Sequence, residues 1–439
     1  MMLKCKQMLS DNLTRGASGE LLLAGVSVSE MADKYGTPLY LYDEDRIRER
    51  CKSFKAAMSE GFGDKSLVLY ASKAASFKRI YEIMQEENMG IDVVSSGEIY
   101  TAIKAGYDLA NAFFHSNNKT DADIRYAIEN GIGYFVVDNE EELFAIDRIA
   151  GELCVRQKLL LRLTPGIDPH TFAAVSTGKV DSKFGSAIET GQAEQITLTA
   201  LSLSNVELSG FHCHVGSMVF EADVFLDAAR VMIGFANDMR LRHGFCAKII
   251  DIGGGFGVRY TEEQPELDIP KCVKKIAEIS HGVCRELDFP MPIIAIEPGR
   301  SIVADAALTV YTVGTVKRIP GYKSYVSVDG GMTDNPRFAR YKSPYTVVTV
   351  GRELGDDVFR ASIVGRCCES GDILQENQPM PNDISRGEYI AVLTTGAYNY
   401  SMASNYNRSP RPPVVMLSGG VDRLAVRRET PADVAALDV

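Results

Sequence analysis

Ser66-Leu67-Val68-Leu69-Tyr70-Ala71-Ser72-Lys73-Ala74 is an apolar, β-prone run that stops at a small polar residue and a lysine. Such a run reads as a buried strand with one amine at its carboxyl end. In a parallel α/β fold, ligands gather at that end. A lysine held there, partly desolvated, loses some of its preference for the protonated state and suits Schiff-base chemistry. Outward from Lys73, strand and helix patterns alternate. Candidate strands are 67–70, 91–94, 112–114, 134–137, 159–163, 207–213, 248–252 and 292–296. Helical spacing fills most gaps, from Ile47, Cys51, Phe54 and Met58 to Phe225, Ala229, Met232 and Phe235. Eight β units over roughly 250 residues, each mostly followed by a helix, predict an α/β fold of the (β/α)8 TIM-barrel type spanning 45–305. An open, doubly wound sheet has the same periodicity, so the pattern alone leaves both architectures standing.

Beyond residue 305 the texture changes. Thr309-Val310-Tyr311-Thr312-Val313, Ser324-Tyr325-Val326-Ser327-Val328, Tyr345-Thr346-Val347-Val348 and Tyr389-Ile390-Ala391-Val392-Leu393 are β-rich and separated by Gly, Pro, Asn and Asp. This predicts a second, all-β domain over 306–439. Residues 1–44 contain Leu21-Leu22-Leu23 and Leu39-Tyr40-Leu41-Tyr42, which could add strands to it.

The 439 residues include 47 basic and 58 acidic side chains, a net charge of -11. That balance disfavours non-specific binding to nucleic acid or anionic membranes. No run approaches a membrane span, and Met1-Met2-Leu3-Lys4-Cys5-Lys6-Gln7 lacks the apolar stretch of a signal peptide. Nine cysteines are scattered with no CxxC pair, which fits a reduced cytoplasmic setting and no metal site.

A barrel's chemistry sits at the carboxyl ends of its strands. In order these carry Lys73; Asp92 with Ser95-Ser96-Gly97-Glu98; His115; Asp138; Arg162; His212 and His214; Gly253-Gly254-Gly255; and Glu297-Pro298-Gly299-Arg300. The glycine run lets backbone amides approach a phosphate, or simply closes a strand in a tight turn. His214, beside Gly216 and Ser217, can stack on an aromatic ligand while Ser217 holds a phosphate. A metal on His212 and His214 is disfavoured because no third ligand lies nearby in sequence. A carbonyl cofactor with a phosphate and a pyridine ring would use the whole set, with Lys73 forming the imine and Glu297 at the ring nitrogen. That combination describes pyridoxal 5'-phosphate (PLP).

The order of motifs resembles the diaminopimelate decarboxylase family, of the alanine-racemase-like barrel class of PLP enzymes. The likeness runs nearly end to end. It is carried by Tyr70-Ala71-Ser72-Lys73-Ala74, Leu161-Arg162-Leu163-Thr164-Pro165-Gly166, Ser176-Thr177-Gly178 with Ser182-Lys183-Phe184-Gly185, and His212-Cys213-His214-Val215-Gly216-Ser217. The triple glycine and Glu297-Pro298-Gly299-Arg300 follow. Asp329-Gly330-Gly331-Met332, Asn335-Pro336-Arg337, Cys368-Glu369-Ser370-Gly371-Asp372 and Gly396-Ala397-Tyr398 complete the series. Departures are small: Ala75 stands where asparagine is usual, and Asn335-Pro336-Arg337-Phe338 lacks the common second proline.

The resemblance implies that Lys73 carries the cofactor and that His214 stacks on it. Ser217, Gly255, Gly299, Arg300 and Tyr398 would hold it, with Glu297 at its ring nitrogen. It also implies that Arg300, Arg337 and Tyr341 bind the distal carboxylate of meso-diaminopimelate, with Tyr398 nearby, while Glu369 takes the distal ammonium. Cys368 would supply or position the proton that replaces CO2. In this family Cys368 and Glu369 reach the site from a partner subunit, so a homodimer with shared active sites is implied. Two arginines suit a substrate with a carboxylate that is not lost, because each donates charge-assisted hydrogen bonds.

Decarboxylases of the same fold acting on ornithine, lysine, arginine or carboxynorspermidine are rivals, but their substrates leave the Arg300 and Arg337 pair unexplained. A racemase would use the same carbanion without losing CO2. A non-catalytic PLP carrier needs Lys73 and the phosphate loops but not Cys368, Glu369 and Tyr398.

Overall fold

A computed structural model describes residues 8–167 and 182–439, so Ser176-Thr177-Gly178 lies outside the described residues. The chain divides into two compact units. One comprises Arg50–Val258 and Glu266–Ser301, the other Met1–Glu49, Arg259–Pro265 and Ile302–Val439.

In the first unit, eight parallel strands run in chain order: β1 (Ser66–Ala71), β2 (Gly90–Val93), β3 (Ala112–Phe114), β4 (Tyr134–Val137), β5 (Gln157–Thr164), β6 (Val206–His212), β7 (Ile249–Asp251) and β8 (Ile293–Ile296). Each pairs with the next, and β8 pairs back onto β1 through Ile294 opposite Ser66. The ring is closed, which settles barrel against open sheet. Leu69, Phe113, Leu160 and Ile249, from alternate strands, meet in its interior with Val136 and Ala295, the layered filling of a packed barrel. The flanking helices bury the faces their spacing predicts: Cys51, Phe54 and Met58 in Glu44–Phe62, and Phe225, Ala229, Met232 and Phe235 in Ala222–His243, are all buried.

The polar run after β2 has a local use. Ser95 caps the helix Ser96–Lys104 by accepting the Glu98 N–H, while Glu98 Oε2 accepts the Val94 N–H at 2.8 Å.

In the second unit the strands run Ile373–Pro381, Val358–Val364, Ser324–Val328, Ala307–Arg318, Leu39–Asp43, Val414–Ser418 and Val421–Val426 across one sheet. Tyr389–Leu393 also pairs with Ala307–Arg318 and with Val347–Thr349. Leu39–Asp43 is central, antiparallel to Ala307–Arg318 and parallel to Val414–Ser418, with all five residues buried. Four of these strands escape the sequence pattern: Val358–Val364, Ile373–Pro381, Val414–Ser418 and Val421–Val426. Ile373–Pro381 is an edge strand, where Pro379 and Pro381 are tolerated because one side needs no ladder donors. The short segment Arg259–Pro265 joins this unit through Tyr260, whose carbonyl accepts from Thr346 Oγ1 at 3.0 Å and whose ring meets Tyr345 edge-on. Among the described residues, no helix is long and apolar enough to cross a membrane.

Candidate active site

Lys73 follows β1 in the single turn Ser72–Ala74, with 41% of its side chain exposed, so the amine is accessible. Its Nζ lies 3.7 Å from Asp92 Oδ2, on β2. Asp92 Oδ1 lies 3.9 Å from His115 Nε2, just past β3, and the same nitrogen is 2.8 Å from Glu297 Oε1. Glu297 Oε2, past β8, is 3.4 Å from His212 Nε2 on β6. Five side chains from five strands therefore form one series: Lys73, Asp92, His115, Glu297, His212. Asp92, His115, Glu297 and His212 are all buried.

The charges in this series follow from that placement. Burial pushes the Glu297 carboxyl up, but His115 and His212 together hold it well below the usual carboxylate range. Asp251, on β7, goes the other way: burial and then the Glu297 charge push its carboxyl well up. Of the two carboxyls, Asp251 is the one that favours its protonated form. Burial lowers His212 to about 4, against the pull of Glu297, so it is a neutral imidazole whose Nε2 must carry the proton to face a carboxylate. The neighbouring Arg162 guanidinium lies 4.3 Å from the Phe184 ring and 3.9 Å from Asp138.

His214 is two residues past β6, where strand alternation no longer governs, and it takes different partners from His212. Its Nδ1 accepts the Gly254 N–H at 3.3 Å. Burial, then Lys73 and Arg162, push its pKa well below the ordinary histidine value, so it too is neutral. The glycine loop packs tightly here. A Cβ on Gly255, at φ +106°, would stand 2.0 Å from the Gly216 carbonyl oxygen. The Gly253 N–H is spent on Asp251 Oδ1 at 2.8 Å, which moves the donors that a phosphate could use onward to Gly255. Arg300 Nη2 donates to Ser217 Oγ at 3.0 Å, joining the late loops after β6 and β8. Gly299 packs against Ala71, where a Cβ would lie 2.8 Å from the alanine methyl.

The remaining candidates belong to the second unit. Arg337 and Tyr341 open and close the short helix Arg337–Tyr341. Arg337 is 4% exposed and lies against the rings of Tyr260 (4.8 Å) and Tyr345 (5.5 Å). Its Nη1 donates to Tyr345 Oη at 2.9 Å and its Nη2 to Ser343 Oγ at 3.2 Å. Among the described residues no carboxylate pairs with it. Tyr398 adopts a left-handed backbone, φ 64°, a conformation non-glycine residues hold only where the surroundings enforce it. Cys368 and Glu369 are exposed on a turn, the Cys368 N–H bonded to Asn407 Oδ1 at 3.0 Å. Cys367 differs: burial, then Asp372, push its thiol up to about 12.

Residues 44–304 match the model of the pyridoxal-dependent decarboxylases, pyridoxal binding domain. A diaminopimelate decarboxylase of Bacillus subtilis is 44% identical over 421 residues, 96% of this chain and 95% of that one.

The chain belongs to the diaminopimelate decarboxylase family. A solved diaminopimelate decarboxylase from M. jannaschii, in complex with L-lysine, superposes with a TM-score of 0.90 at 30% identity over 99% of both chains. A lysine/ornithine decarboxylase from Vibrio vulnificus, with putrescine, reaches 0.76 at 25% identity over 89% of this chain and 97% of that one. The enzymes of this family are PLP-dependent decarboxylases, and the barrel residues fit that cofactor by their own chemistry. Lys73 is an accessible amine, and Glu297 is an ionised carboxylate suited to a protonated pyridine nitrogen. His214 is a neutral ring, and Ser217, Gly255 and Arg300 supply hydroxyl, amide and guanidinium donors for a phosphate.

Asp92, His115 and His212 stand out in sequence only as strand-end residues without a role; their convergence on Lys73 and Glu297 depends on the closed ring. The third partner for His212 does exist, in His115 and Glu297, whose donor atoms lie within 4.8 Å of its own. It comes from strands remote in sequence, and the 2.8 Å contact is one an imidazole makes to a carboxylate. Tyr260 and Tyr345 carry no signal beyond that of buried aromatics.

Proposed function

We propose that this chain removes CO2 from one end of meso-2,6-diaminopimelate to give L-lysine, as the last step of lysine biosynthesis. The observation that carries the substrate choice is Arg337: a guanidinium 4% exposed, surrounded by tyrosines, with no carboxylate partner among the described residues. A buried cation without a counter-ion is costly, and an anionic ligand group removes that cost. Meso-diaminopimelate brings a second carboxylate; ornithine, lysine and arginine, bound for decarboxylation, bring none.

When bound, PLP supplies the electron sink for the pair left at Cα as CO2 departs. The protein does the rest. Lys73 tethers the cofactor, and Asp92 beside it provides the countercharge to the amine. Glu297 stays ionised at the ring nitrogen, with His115 and His212 occupying its oxygens and fixing its direction. His214 offers a neutral face for stacking. Ser217, Gly255, Gly299, Arg300 and Tyr398 hold the phosphate end. Arg300, Arg337 and Tyr341 bind the distal carboxylate, and Glu369 the distal ammonium. Cys368, exposed where Cys367 is shielded, positions the proton that replaces CO2.

In this reading residues 45–305 are the cofactor-binding barrel and 306–439, with 1–44, the β domain. The assembly is a cytoplasmic homodimer in which Cys368 and Glu369 complete the partner's site; the free thiols along the chain support a reducing compartment.

The test is CO2 release from meso-diaminopimelate, L-ornithine, L-lysine and L-arginine, with chiral analysis of the product. Meso-diaminopimelate should lead by kcat/KM and give L-lysine. A preference for ornithine or lysine overturns the assignment, and no CO2 from any of them would point to a carrier. Mixing Lys73→Ala with Cys368→Ala subunits should restore activity if sites are shared across a dimer.

A further inference from the structure

The turn that presents Cys368 and Glu369 is tied down at one buried point. Asp372 is 3% exposed, and both of its carboxylate oxygens are used on backbone. Oδ2 accepts the Cys367 N–H at 2.8 Å, and Oδ1 accepts the Met332 N–H at 2.6 Å. The Gly365 N–H donates to the Asp372 carbonyl at 3.0 Å and the Asp372 N–H to the Glu369 carbonyl at 3.1 Å, so the turn is closed on itself. The Arg366 N–H donates to the Gly330 carbonyl at 3.0 Å, a second tie to the same loop. Two glycines exist to admit this carboxylate. A Cβ on Gly365 would lie 2.2 Å from Asp372 Oδ2, and one on Gly331 2.6 Å from both oxygens. A side chain at either position would have to push the carboxylate off its two N–H donors. On its far side the turn is held by Asn407, in the left-handed region at φ 52°, through the Cys368 N–H.

We propose that Asp372 is a positioning residue, fixing the exposed Cys368–Glu369 pair against the Gly330-Gly331-Met332 loop, with Asn407 as the lesser second anchor. This rests on the reading that Cys368 and Glu369 act on the substrate. A carboxylate is required because two N–H donors converge on it. An asparagine offers one oxygen and one NH2, and that NH2 would face a backbone donor.

The experiment is a double-mutant cycle on the PLP-loaded enzyme, using Asp372→Asn with Cys368→Ser and with Glu369→Gln. Asp372→Asn should lower kcat/KM by roughly 10²-fold, the scale of a misplaced reacting group, while visible cofactor absorbance stays near wild type and Tm falls by only a few degrees, the cost of one unpaired buried donor. Combined with Cys368→Ser or Glu369→Gln, it should cost far less than the product of the single losses, because neighbours acting through one another are not additive. Should Asp372→Asn fail to fold, Asn407→Gly, which suits the left-handed backbone and deletes one acceptor, should show the same non-additivity with a smaller loss. Multiplicative losses in both cycles, or an Asp372→Asn enzyme within threefold of wild type, overturn the proposal alone. Wild-type rates in both Cys368→Ser and Glu369→Gln overturn the underlying site reading, and the proposal with it.

Discussion

In the barrel unit, charge at the strand ends comes in partnered series: the accessible Lys73 beside buried Asp92, His115 bridging Asp92 and Glu297, His212 on the other oxygen of Glu297. In the β unit, Arg337 is buried among Tyr260, Tyr345 and Ser343, with no acid among the described residues to match it. The first arrangement is internally balanced and suits a resident cofactor whose charges are the same in every turnover. Under the proposed function, a ligand carboxylate completes the second. On this view the barrel sets what chemistry is done and the β unit sets what it is done to.

The sharpest way to break that division is to remove the barrel's amine. Lys73→Ala should lose roughly 10⁴-fold or more in turnover, the scale at which a covalent catalytic residue is lost. Borohydride should fix the cofactor to Lys73 in the wild-type enzyme, as peptide mapping would show. An adduct on any other lysine removes Lys73 from its role.

Glu297→Gln is the next largest effect. It keeps the shape and deletes the charge that two histidines hold in place. Cofactor content should be retained while kcat falls by about 10²–10³-fold, the usual cost of one major electrostatic stabiliser. A PLP-replete variant within a few-fold of wild type would contradict an ionised Glu297 at the ring nitrogen.

Arg337→Leu tests the other half of the comparison. The loss should fall on affinity for the distal carboxylate, about 1.5–3 kcal/mol for hydrogen bonds to a charged group. KM for meso-diaminopimelate should therefore rise roughly 10- to 100-fold, with cofactor binding unchanged. L-lysine, which keeps that carboxylate as product, should weaken in parallel as an inhibitor, while cadaverine should not. Equal weakening of both ligands would make Arg337 a structural residue.

The sequence is legible where one residue and its neighbours suffice. The barrel strands are apolar runs, so each could be found alone, and Lys73 and Glu297 are charged residues at the ends of such runs. Closure was not legible, because it rests on a pairing between Ile294 and Ser66 that no local pattern encodes. The same holds for His115, His212 and Glu297, which meet only once the ring is closed. Arg259–Pro265 reads as a polar loop between a barrel strand and its helix, yet it clusters with the β unit. Nothing in its composition says so; the buried Tyr260 that anchors it is one aromatic among many. Val421–Val426 escapes the pattern because the adjacent charged residues Asp422 and Arg423 interrupt its apolar run, and as a sheet-edge strand it leaves Val421 and Leu424 exposed.

The smallest predicted effect concerns stability and separates the units by sign. Asp334, buried in the β unit, accepts hydrogen bonds from Tyr311 Oη and the Gly331 N–H. Burial nevertheless pushes its carboxyl from 3.8 up to about 7, with those donors opposing and Asp372 adding to the rise. Between those values the folded chain holds a proton that the unfolded chain has released. Stability from this group is then complete below about pH 4 and falls as pH climbs towards 7. Glu297, held below its usual range by two histidines, contributes in the opposite sense: its stability is present above about pH 4.5 and lost as pH falls. Asp334→Asn should therefore flatten the decline in Tm between pH 5 and 8, gaining on wild type as pH rises whatever its offset from lost hydrogen bonds. Glu297→Gln should do the reverse, gaining on wild type as pH falls. Thermal melts of wild type and Asp334→Asn from about pH 4 to 8, and of wild type and Glu297→Gln from about pH 6 downward through 4.5, at constant ionic strength, read both slopes. Parallel profiles for wild type and Asp334→Asn would mean that the Asp334 carboxyl does not titrate in this window, and the contrast between an internally balanced barrel and an uncompensated β unit would then rest on Arg337 alone.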